Sequence, residues 1–195
     1  MNRYVRIFAM LAAFLAGAAA LSAIAVVLWP GEPGSRRASD VGGPFRLTGQ
    51  SGEVVTEANF AGKPFLVFFG FTHCPDVCPT TLFEMSETFR RLGPDADTRA
   101  LFISVDPERD TPETLKQYLS NFDPRIVGLT GTRAQIDAVT KTYKAYAKKV
   151  PLAGGGYTMD HSAVVYLMDR EGRFIAPFNL KRPAQEAADE LRRYL

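Results

Sequence analysis

The chain has 195 residues, a formal net charge of +2 at pH 7 and a hydrophobic fraction of 46%. This length and composition favour one globular domain over a disordered or fibrous chain. Apart from Arg3 and Arg6, the chain carries equal numbers of basic and acidic residues. That balance argues against a nucleic-acid-binding protein, because such proteins present a strongly basic surface to the phosphates.

The first apolar stretch covers residues 7–29, which are 23 consecutive uncharged positions. At a helical rise of about 1.5 Å per residue, it is long enough to cross a hydrocarbon layer of about 30 Å. A cleaved signal peptide is the alternative, but the apolar region of a signal peptide is usually shorter, about 7–15 residues. Arg3 and Arg6 precede the stretch and predict a cytoplasmic amino terminus. We therefore predict a membrane anchor over residues 1–29 and an extracytoplasmic domain behind it.

Residues 30–43 are rich in Gly, Pro, Ser and Arg and predict a flexible tether, which leaves residues 44–195 for the domain. Two short apolar runs flank a Gly-containing connection at 48–53, as in an amino-terminal hairpin. The uninterrupted apolar run at 65–71 is typical of a strand buried on both faces of a parallel sheet, and the segment 98–105 is interpreted in the same way from its apolar residues at 100–103 and 105.

Helix signals separate these runs from the rest of the chain. We expect helices from Pro79 to about Leu92 and from Pro112, with Thr111 as the cap of the second. After a short strand at 126–129, Thr132 and Gln135 form a capping box, and the apolar face that follows predicts a helix as far as residue 150.

The last third of the chain contains three consecutive glycines at 154–156, so residues 150–160 are predicted to be a mobile loop. A buried strand at 162–168, a hairpin partner at 174–178 and a final helix opened by Pro183 follow. This order of elements predicts a mixed α/β sheet with helices on both faces. Together with two cysteines after the first long strand, it is a thioredoxin-like plan.

The two cysteines of the chain, Cys74 and Cys78, follow the strand at 65–71, where open α/β sheets place their sites. With Pro79 as the first helical residue, Cys78 is predicted to cap the helix, and a helix amino terminus stabilises thiolate. A structural disulfide is disfavoured because it would close a very short loop. Two interpretations stay open, namely a redox dithiol and a soft pair of copper(I) ligands that an imidazole would complete.

The two histidines bear on that choice. His161 lies between the predicted mobile loop and a buried strand, so the loop is expected to bring it over the cysteines. His73 is adjacent to Cys74 and is expected to point away, in a surface or supporting role. Asp160 is equally well explained as a carboxylate that orients the imidazole and as a turn residue.

Other candidates receive plainer interpretations. Met159 is expected to pack in the core and Asp76 to be solvated. Asp106, Glu108 and Asp110 have the spacing of calcium ligands but lack the glycine and distal glutamate of a calcium loop, so turn chemistry explains them better.

Three segments of the chain closely resemble the Sco/SenC family: residues 71–80 (FTHCPDVCPT), residues 104–113 (SVDPERDTPE) and residues 160–162 (DHS). The resemblance covers about residues 44–195 and includes the anchor. It implies a membrane-anchored, thioredoxin-like domain that binds copper and assists assembly of the dinuclear CuA centre of cytochrome c oxidase. The metal ligands of the family fall here on Cys74, Cys78 and His161.

The resemblance also implies partners and a location. The partners are cytochrome c oxidase subunit II or another copper-transfer protein, and a thiol reductant. Copper is expected as Cu(I), with Cu(II) left open. The start of the chain is not a long Arg- and Ser-rich transit peptide, which favours a single-pass protein of a bacterial inner membrane with its carboxyl-terminal domain in the periplasm.

Some members of the family are also thiol-disulfide reductases, and in that alternative Cys74 and Cys78 are the catalytic residues. Thioredoxin-like reductases usually have a proline just before the strand that faces the dithiol. This chain has Asp160, His161 and Ser162 there, which favours metal binding.

Overall fold

The structure is a computed structural model that describes residues 40–195 and six isolated helical positions near the amino terminus, 3, 4, 7, 10, 13 and 17. Most of the predicted anchor at 1–29 and of the predicted tether at 30–43 lies outside the described residues. Among the residues that are described, no helix has the length and apolar character needed to cross a membrane. The described residues from 40 onward belong to one compact unit.

In the part of the chain that the structure describes, nine strands form two sheets. They are β1 Arg46–Gly49, β2 Val54–Thr56, β3 Phe65–Gly70, β4 Arg99–Ser104, β5 Ile126–Thr130, β6 Ala147–Pro151, β7 Tyr157–His161, β8 Val165–Met168 and β9 Phe174–Pro177. Seven of them form a mixed sheet in the order β2-β1-β5-β4-β3-β8-β9, and β6 pairs with β7 as a separate hairpin. Strands β3, β4 and β5 are parallel, and β1 and β8 flank them in antiparallel register.

Between residues 40 and 195, four α-helices and a short 3-10 helix at Glu57–Phe60 accompany the strands, and the α-helices are α1 Val77–Leu92, α2 Pro112–Leu119, α3 Arg133–Thr142 and α4 Ala184–Arg192. The predicted caps of α2 and α3 are confirmed, because the hydroxyl of Thr111 accepts a hydrogen bond from the Thr114 N–H at 3.2 Å and Thr132 forms its capping box with Gln135. Every residue of β3 is buried, so both faces of the sheet are covered at its centre. The predicted thioredoxin-like mixed α/β fold is therefore confirmed.

The region between α3 and β8 differs from the prediction. Helix α3 ends at Thr142, because Lys144 adopts the left-handed backbone region (φ +53°), which an α-helix does not accommodate. The predicted mobile loop at 150–160 is most of the hairpin of β6 and β7, whose turn uses Gly155 and Gly156 at positive φ. The strand predicted from Ser162 begins at residue 165, and His161 ends β7 instead.

The start of α1 also differs. The helix begins at Val77 with Asp76 at its cap, whereas Pro79 was predicted as the first helical residue. Cys78 and Pro79 therefore lie in the first turn, where backbone N–H groups have no partner within the helix. A proline costs no hydrogen bond at such a position, so the proline alone does not fix the first residue of the helix.

Candidate metal centre

Cys78 lies beneath the end of the central strand. Its side chain is fully buried, while Cys74 in the preceding loop is partly exposed. A Cβ added to Gly70, the last residue of β3, would lie 2.8 Å from the sulfur of Cys78 and 2.5 Å from the ring of Phe102. Only a glycine leaves room for the sulfur at this point.

Three potential metal ligands meet at this place. The sulfurs of Cys74 and Cys78 and a ring nitrogen of His161 all lie within 4.8 Å of one another. Within this group, the Cys78 sulfur lies 3.4 Å from His161 Nε2. Both thiols are free, and the Cys78 N–H donates to the Cys74 sulfur at 3.4 Å. The structure thus brings together the three residues that the sequence singled out.

The imidazole of His161 is oriented by the backbone. Its Nδ1 lies 3.0 Å from the carbonyl oxygen of Ser162, which accepts a hydrogen bond from the protonated nitrogen. This tautomer leaves the lone pair of Nε2 facing the Cys78 sulfur. Asp160 does not orient the ring, because it is exposed and lies opposite Lys148 in the hairpin.

Aromatic rings confine the imidazole. Phe68 and Phe71 both lie edge-on to it, with ring centroids at 6.1 and 5.7 Å. These contacts join the end of β7 to the end of β3 and to the cysteine loop.

The two thiols have different surroundings. Burial raises the pKa of the Cys78 thiol, and the opposing hydrogen bond involving the Phe71 backbone is a smaller influence. The expectation that a helix amino terminus would favour thiolate is therefore wrong for Cys78. Because a metal binds thiolate, metal binding here must release the proton of this buried thiol.

The remaining candidates lie outside the group of three. His73 is exposed, and its Nδ1 lies 3.1 Å from the Thr72 hydroxyl, in agreement with a surface role. Met159 is buried, as the packing interpretation requires, and Asp76 is exposed at the start of α1.

Family membership follows from the comparison with known proteins. The SCO1/SenC family model matches residues 33–195. The chain belongs to the SCO1/SenC family.

Curated relatives of this Sco protein include the mitochondrial SCO2 of Saccharomyces cerevisiae, 43% identical over 157 residues, which are 78% of this chain and 52% of the relative. An SCO2-like protein of Rickettsia prowazekii is 41% identical over 149 residues, 75% of this chain and 73% of that one. The chain spans about half the length of the first mitochondrial relatives that it matches.

Solved structures agree with the family assignment. Copper-bound ScoI of Bradyrhizobium japonicum is 62% identical with a TM-score of 0.77, over 80% of this chain and 99% of that one. Copper-bound yeast Sco1 is 37% identical with a TM-score of 0.73, over 79% and 87%. BsSco, a member of the Sco family of cytochrome c oxidase assembly proteins, is 25% identical with a TM-score of 0.63, over 80% and 95%.

The donor set of this Sco protein fits copper. Two thiol sulfurs are soft ligands that suit copper(I), and an imidazole nitrogen completes a three-coordinate set. The site opens onto a cleft of about 440 Å³, so a partner has access to it. The residues that line the cleft include Phe71, Cys74, Pro75, Val77, Tyr146 and His161.

Asp110, which the sequence suggested only as a turn residue, is a buried carboxylate that supports the cysteine loop. Asp110 is fully buried and accepts hydrogen bonds from the Thr72 N–H at 3.0 Å, the Thr72 hydroxyl at 2.6 Å and the Ser104 hydroxyl at 2.6 Å. It thereby fixes the backbone two residues before Cys74. The segment 104–113, which contributes to the family resemblance, was the signal that could have pointed to it.

Proposed function

We propose that this Sco protein is a copper chaperone that holds one copper ion between Cys74, Cys78 and His161. The meeting of three donor atoms within 4.8 Å, contributed by two segments far apart in the sequence, carries the proposal. Two cysteines alone would serve a redox dithiol equally well. The imidazole aimed at the Cys78 sulfur supplies the third donor that a copper ion requires and that a redox dithiol does not.

The proposed acceptor is the CuA centre of cytochrome c oxidase, through subunit II or another copper-transfer protein. Copper is bound in the ScoI structure that is 62% identical, and BsSco belongs to a family of cytochrome c oxidase assembly proteins. Both observations support a role of this kind.

The proposed location is the periplasmic face of a bacterial inner membrane, with residues 7–29 as the anchor, 30–43 as the tether and 44–195 as the copper-binding domain. An oxidising compartment would convert Cys74 and Cys78 to a disulfide, which cannot bind copper through two thiolates. A thiol reductant is therefore a required partner.

Thiol-disulfide exchange with a partner protein is the second candidate function. Cys74 is the partly exposed cysteine, and its sulfur accepts the Cys78 N–H at 3.4 Å, so it is the sulfur that a partner disulfide can reach. Its attack on a partner disulfide forms a mixed disulfide and releases one partner thiolate. Attack by Cys78 then releases the second, so that the partner is reduced and Cys74 and Cys78 become a disulfide. This chemistry requires nothing of His161.

A copper titration tests the proposed function. The full-length chain in mild detergent is reduced and titrated anaerobically with copper(I) against a competing chelator. We expect one tightly bound copper in the wild type and at least tenfold weaker binding in His161→Ala, which corresponds to about 1.4 kcal/mol. His73→Ala is the matched control, because it removes the other histidine of the chain and is expected to bind copper as the wild type does.

Equal and weak binding by the wild type and His161→Ala would contradict the proposal. Thiol-disulfide exchange would then become the better explanation of the cysteine pair. An equal loss in His73→Ala and His161→Ala would instead contradict the choice of His161 as the ligand.

A further inference from the structure

One short turn between β4 and α2, residues 106–110, contacts both segments that supply donor atoms. The Asp106 carbonyl accepts the N–H groups of Arg109 and Asp110 at 3.1 and 3.0 Å, which closes the turn. The carboxylates of Asp106 and Asp110 are both fully buried. Burial of two carboxylates is costly unless each is fully hydrogen-bonded, so their partners define what the turn does.

Asp110 holds the cysteine loop through Thr72, as described above. The same hydroxyl of Ser104 that donates to Asp110 also accepts the Asp106 N–H at 3.0 Å. Ser104 is the last residue of β4. The 106–110 turn is therefore attached to the central sheet, and the cysteine loop is attached to the turn.

Asp106 and Arg109 hold the histidine hairpin through Tyr157. The Tyr157 hydroxyl donates to Asp106 at 2.9 Å, and Arg109 Nη1 donates to the Tyr157 carbonyl at 3.2 Å. The Arg109 guanidinium, which is also paired with the Asp106 carboxylate, lies 3.9 Å from the centroid of the Tyr157 ring. Desolvation and the hydrogen bond to Asp106 raise the pKa of Tyr157 to about 12, so the phenol keeps its donor proton to a higher pH than an ordinary tyrosine does.

A second cation contacts the same ring. Lys149 of β6 places Nζ 3.8 Å from the centroid of Tyr157 and also pairs with Glu108 of the turn. Both strands of the hairpin are thus connected to the 106–110 turn by charged contacts. These contacts matter because β6 and β7 pair with each other and with no strand of the seven-stranded sheet.

Tyr157 and His161 are the first and last residues of β7. Because side chains alternate along a strand, residues four apart project from the same face. Tyr157 and the imidazole therefore lie on one face of the same strand.

We propose that Tyr157, held by Asp106 and Arg109, is a positioning residue that sets where His161 Nε2 lies relative to the two cysteine sulfurs. The inference rests on the proposed function, since it gives Tyr157 a role only if His161 binds the metal. The 106–110 turn then fixes both halves of one metal site relative to the same strand, β4. Tyr157 itself does not touch the metal.

A double-mutant cycle tests the inference with the full-length chain in detergent. Tyr157→Phe removes only the hydroxyl, and copper(I) affinity is measured for it in the wild-type and His161→Ala backgrounds. We expect an affinity about fivefold lower in the wild-type background, the lower end of typical coupling between sites, and no further loss in His161→Ala. Tyr194→Phe, at the carboxyl terminus, is the control for loss of a tyrosine hydroxyl and is expected to bind copper normally.

Two results would overturn the inference. One is copper binding by Tyr157→Phe as tight as in the wild type. The other is an equal loss in both backgrounds, which would mean that Tyr157 supports the domain without acting through His161. Similar affinities of the wild type and His161→Ala would contradict the proposed function itself, whatever the result for Tyr157→Phe.

A second variant covers the case in which Tyr157→Phe lowers the unfolding midpoint of the metal-free protein. Arg109→Lys keeps the charge beside Asp106 but loses the planar fork that reaches the Tyr157 carbonyl. The same non-additivity with His161→Ala is expected. If the losses of copper affinity caused by Arg109→Lys and His161→Ala also add fully, the inference is overturned.

Discussion

The cysteine segment and the histidine hairpin contribute to one site but are held in place differently. Strand β3, which leads into the cysteine loop, is entirely buried and pairs with β4 on one side and β8 on the other. Strand β7, which carries His161, pairs only with β6, and Met159 is its one buried residue. The cysteine segment is therefore fixed by the core, whereas the hairpin that carries the imidazole is held by a small number of contacts with the 106–110 turn.

This difference separates stability from metal binding. Changes near the cysteines should lower the free energy of unfolding and the copper affinity together, because the same packing serves both. Changes in the hairpin should lower the copper affinity with a smaller cost to stability, because the seven-stranded sheet does not depend on β6 and β7. Local opening of such weakly connected elements is common in folded proteins.

The largest effect is expected from Gly70→Ala. The added Cβ would lie 2.5 Å from the Phe102 ring and 2.8 Å from the Cys78 sulfur, so one of them must move. Overpacking of this kind costs about 1–3 kcal/mol. We expect the free energy of unfolding in urea to fall by that amount and the copper(I) affinity to fall about tenfold or more. Gly154→Ala is the control, because a Cβ there meets no atom within 4 Å.

If Gly70→Ala lost copper affinity while its unfolding curve matched that of Gly154→Ala, the cysteine side would not be fixed by the core. The contrast between the two segments would then fail.

A smaller effect is expected at the tip of the hairpin. Gly155 has φ +87° with open space around it, so Gly155→Ala introduces backbone strain of about 1 kcal/mol and no clash. The strain lowers the free energy of local opening of the hairpin, and that free energy cannot fall by more than its value in the wild type. We expect hydrogen exchange of the β6 and β7 amides to be about fivefold faster than in Gly154→Ala, whose backbone is not in the left-handed region. Equal exchange rates in the two variants would contradict the strain argument.

Sequence patterns predicted the central sheet because its strands contain continuous runs of apolar residues. The same logic failed at 143–161. Apolar residues at Tyr143, Tyr146 and Val150 fit a helical spacing, yet only Tyr143 is buried and Tyr146 is exposed. The spacing of apolar residues does not reveal that the helix ends before Lys144 and that a strand follows. The contacts that hold this hairpin come from the 106–110 turn, which is distant in the sequence.

The sequence predicted which residues form the site but not how deeply they and their neighbours are buried. Cysteines, histidine and family resemblance were visible in the sequence, whereas the burial of Asp106, Asp110 and Cys78 depends on distant packing. The Cys78 pKa shows how the balance is decided. A helix terminus contributes roughly 0.3–1 kcal/mol, which is less than one pKa unit. Full burial shifts a pKa by up to about 3–5 units in the opposite direction. Burial therefore wins, and no local pattern reveals it.

The smallest effect is expected from Tyr118→Phe, which tests whether the core beside the cysteine segment is firmly packed. The Tyr118 hydroxyl is buried without a hydrogen-bond partner among the described residues, and its ring packs against Phe102 and Phe122. Removing an unsatisfied polar atom from a fixed core should raise the free energy of unfolding by about 0.5–1 kcal/mol at pH 8. Urea unfolding of the reduced protein measures the gain.

The pH dependence of that gain follows from the tyrosine. Burial raises the pKa of Tyr118, and the nearby Cys78, Cys74 and Asp110 add to the rise. In the unfolded chain the phenol ionises near pH 10, so the wild type loses stability as the pH rises above about 10, while the folded protein keeps the phenol neutral. The advantage of Tyr118→Phe should therefore grow between pH 8 and pH 10.5. If the difference in free energy of unfolding between Tyr118→Phe and the wild type stayed constant or shrank, the core beside the cysteines would admit solvent. The cysteine segment would then be no more firmly packed than the hairpin.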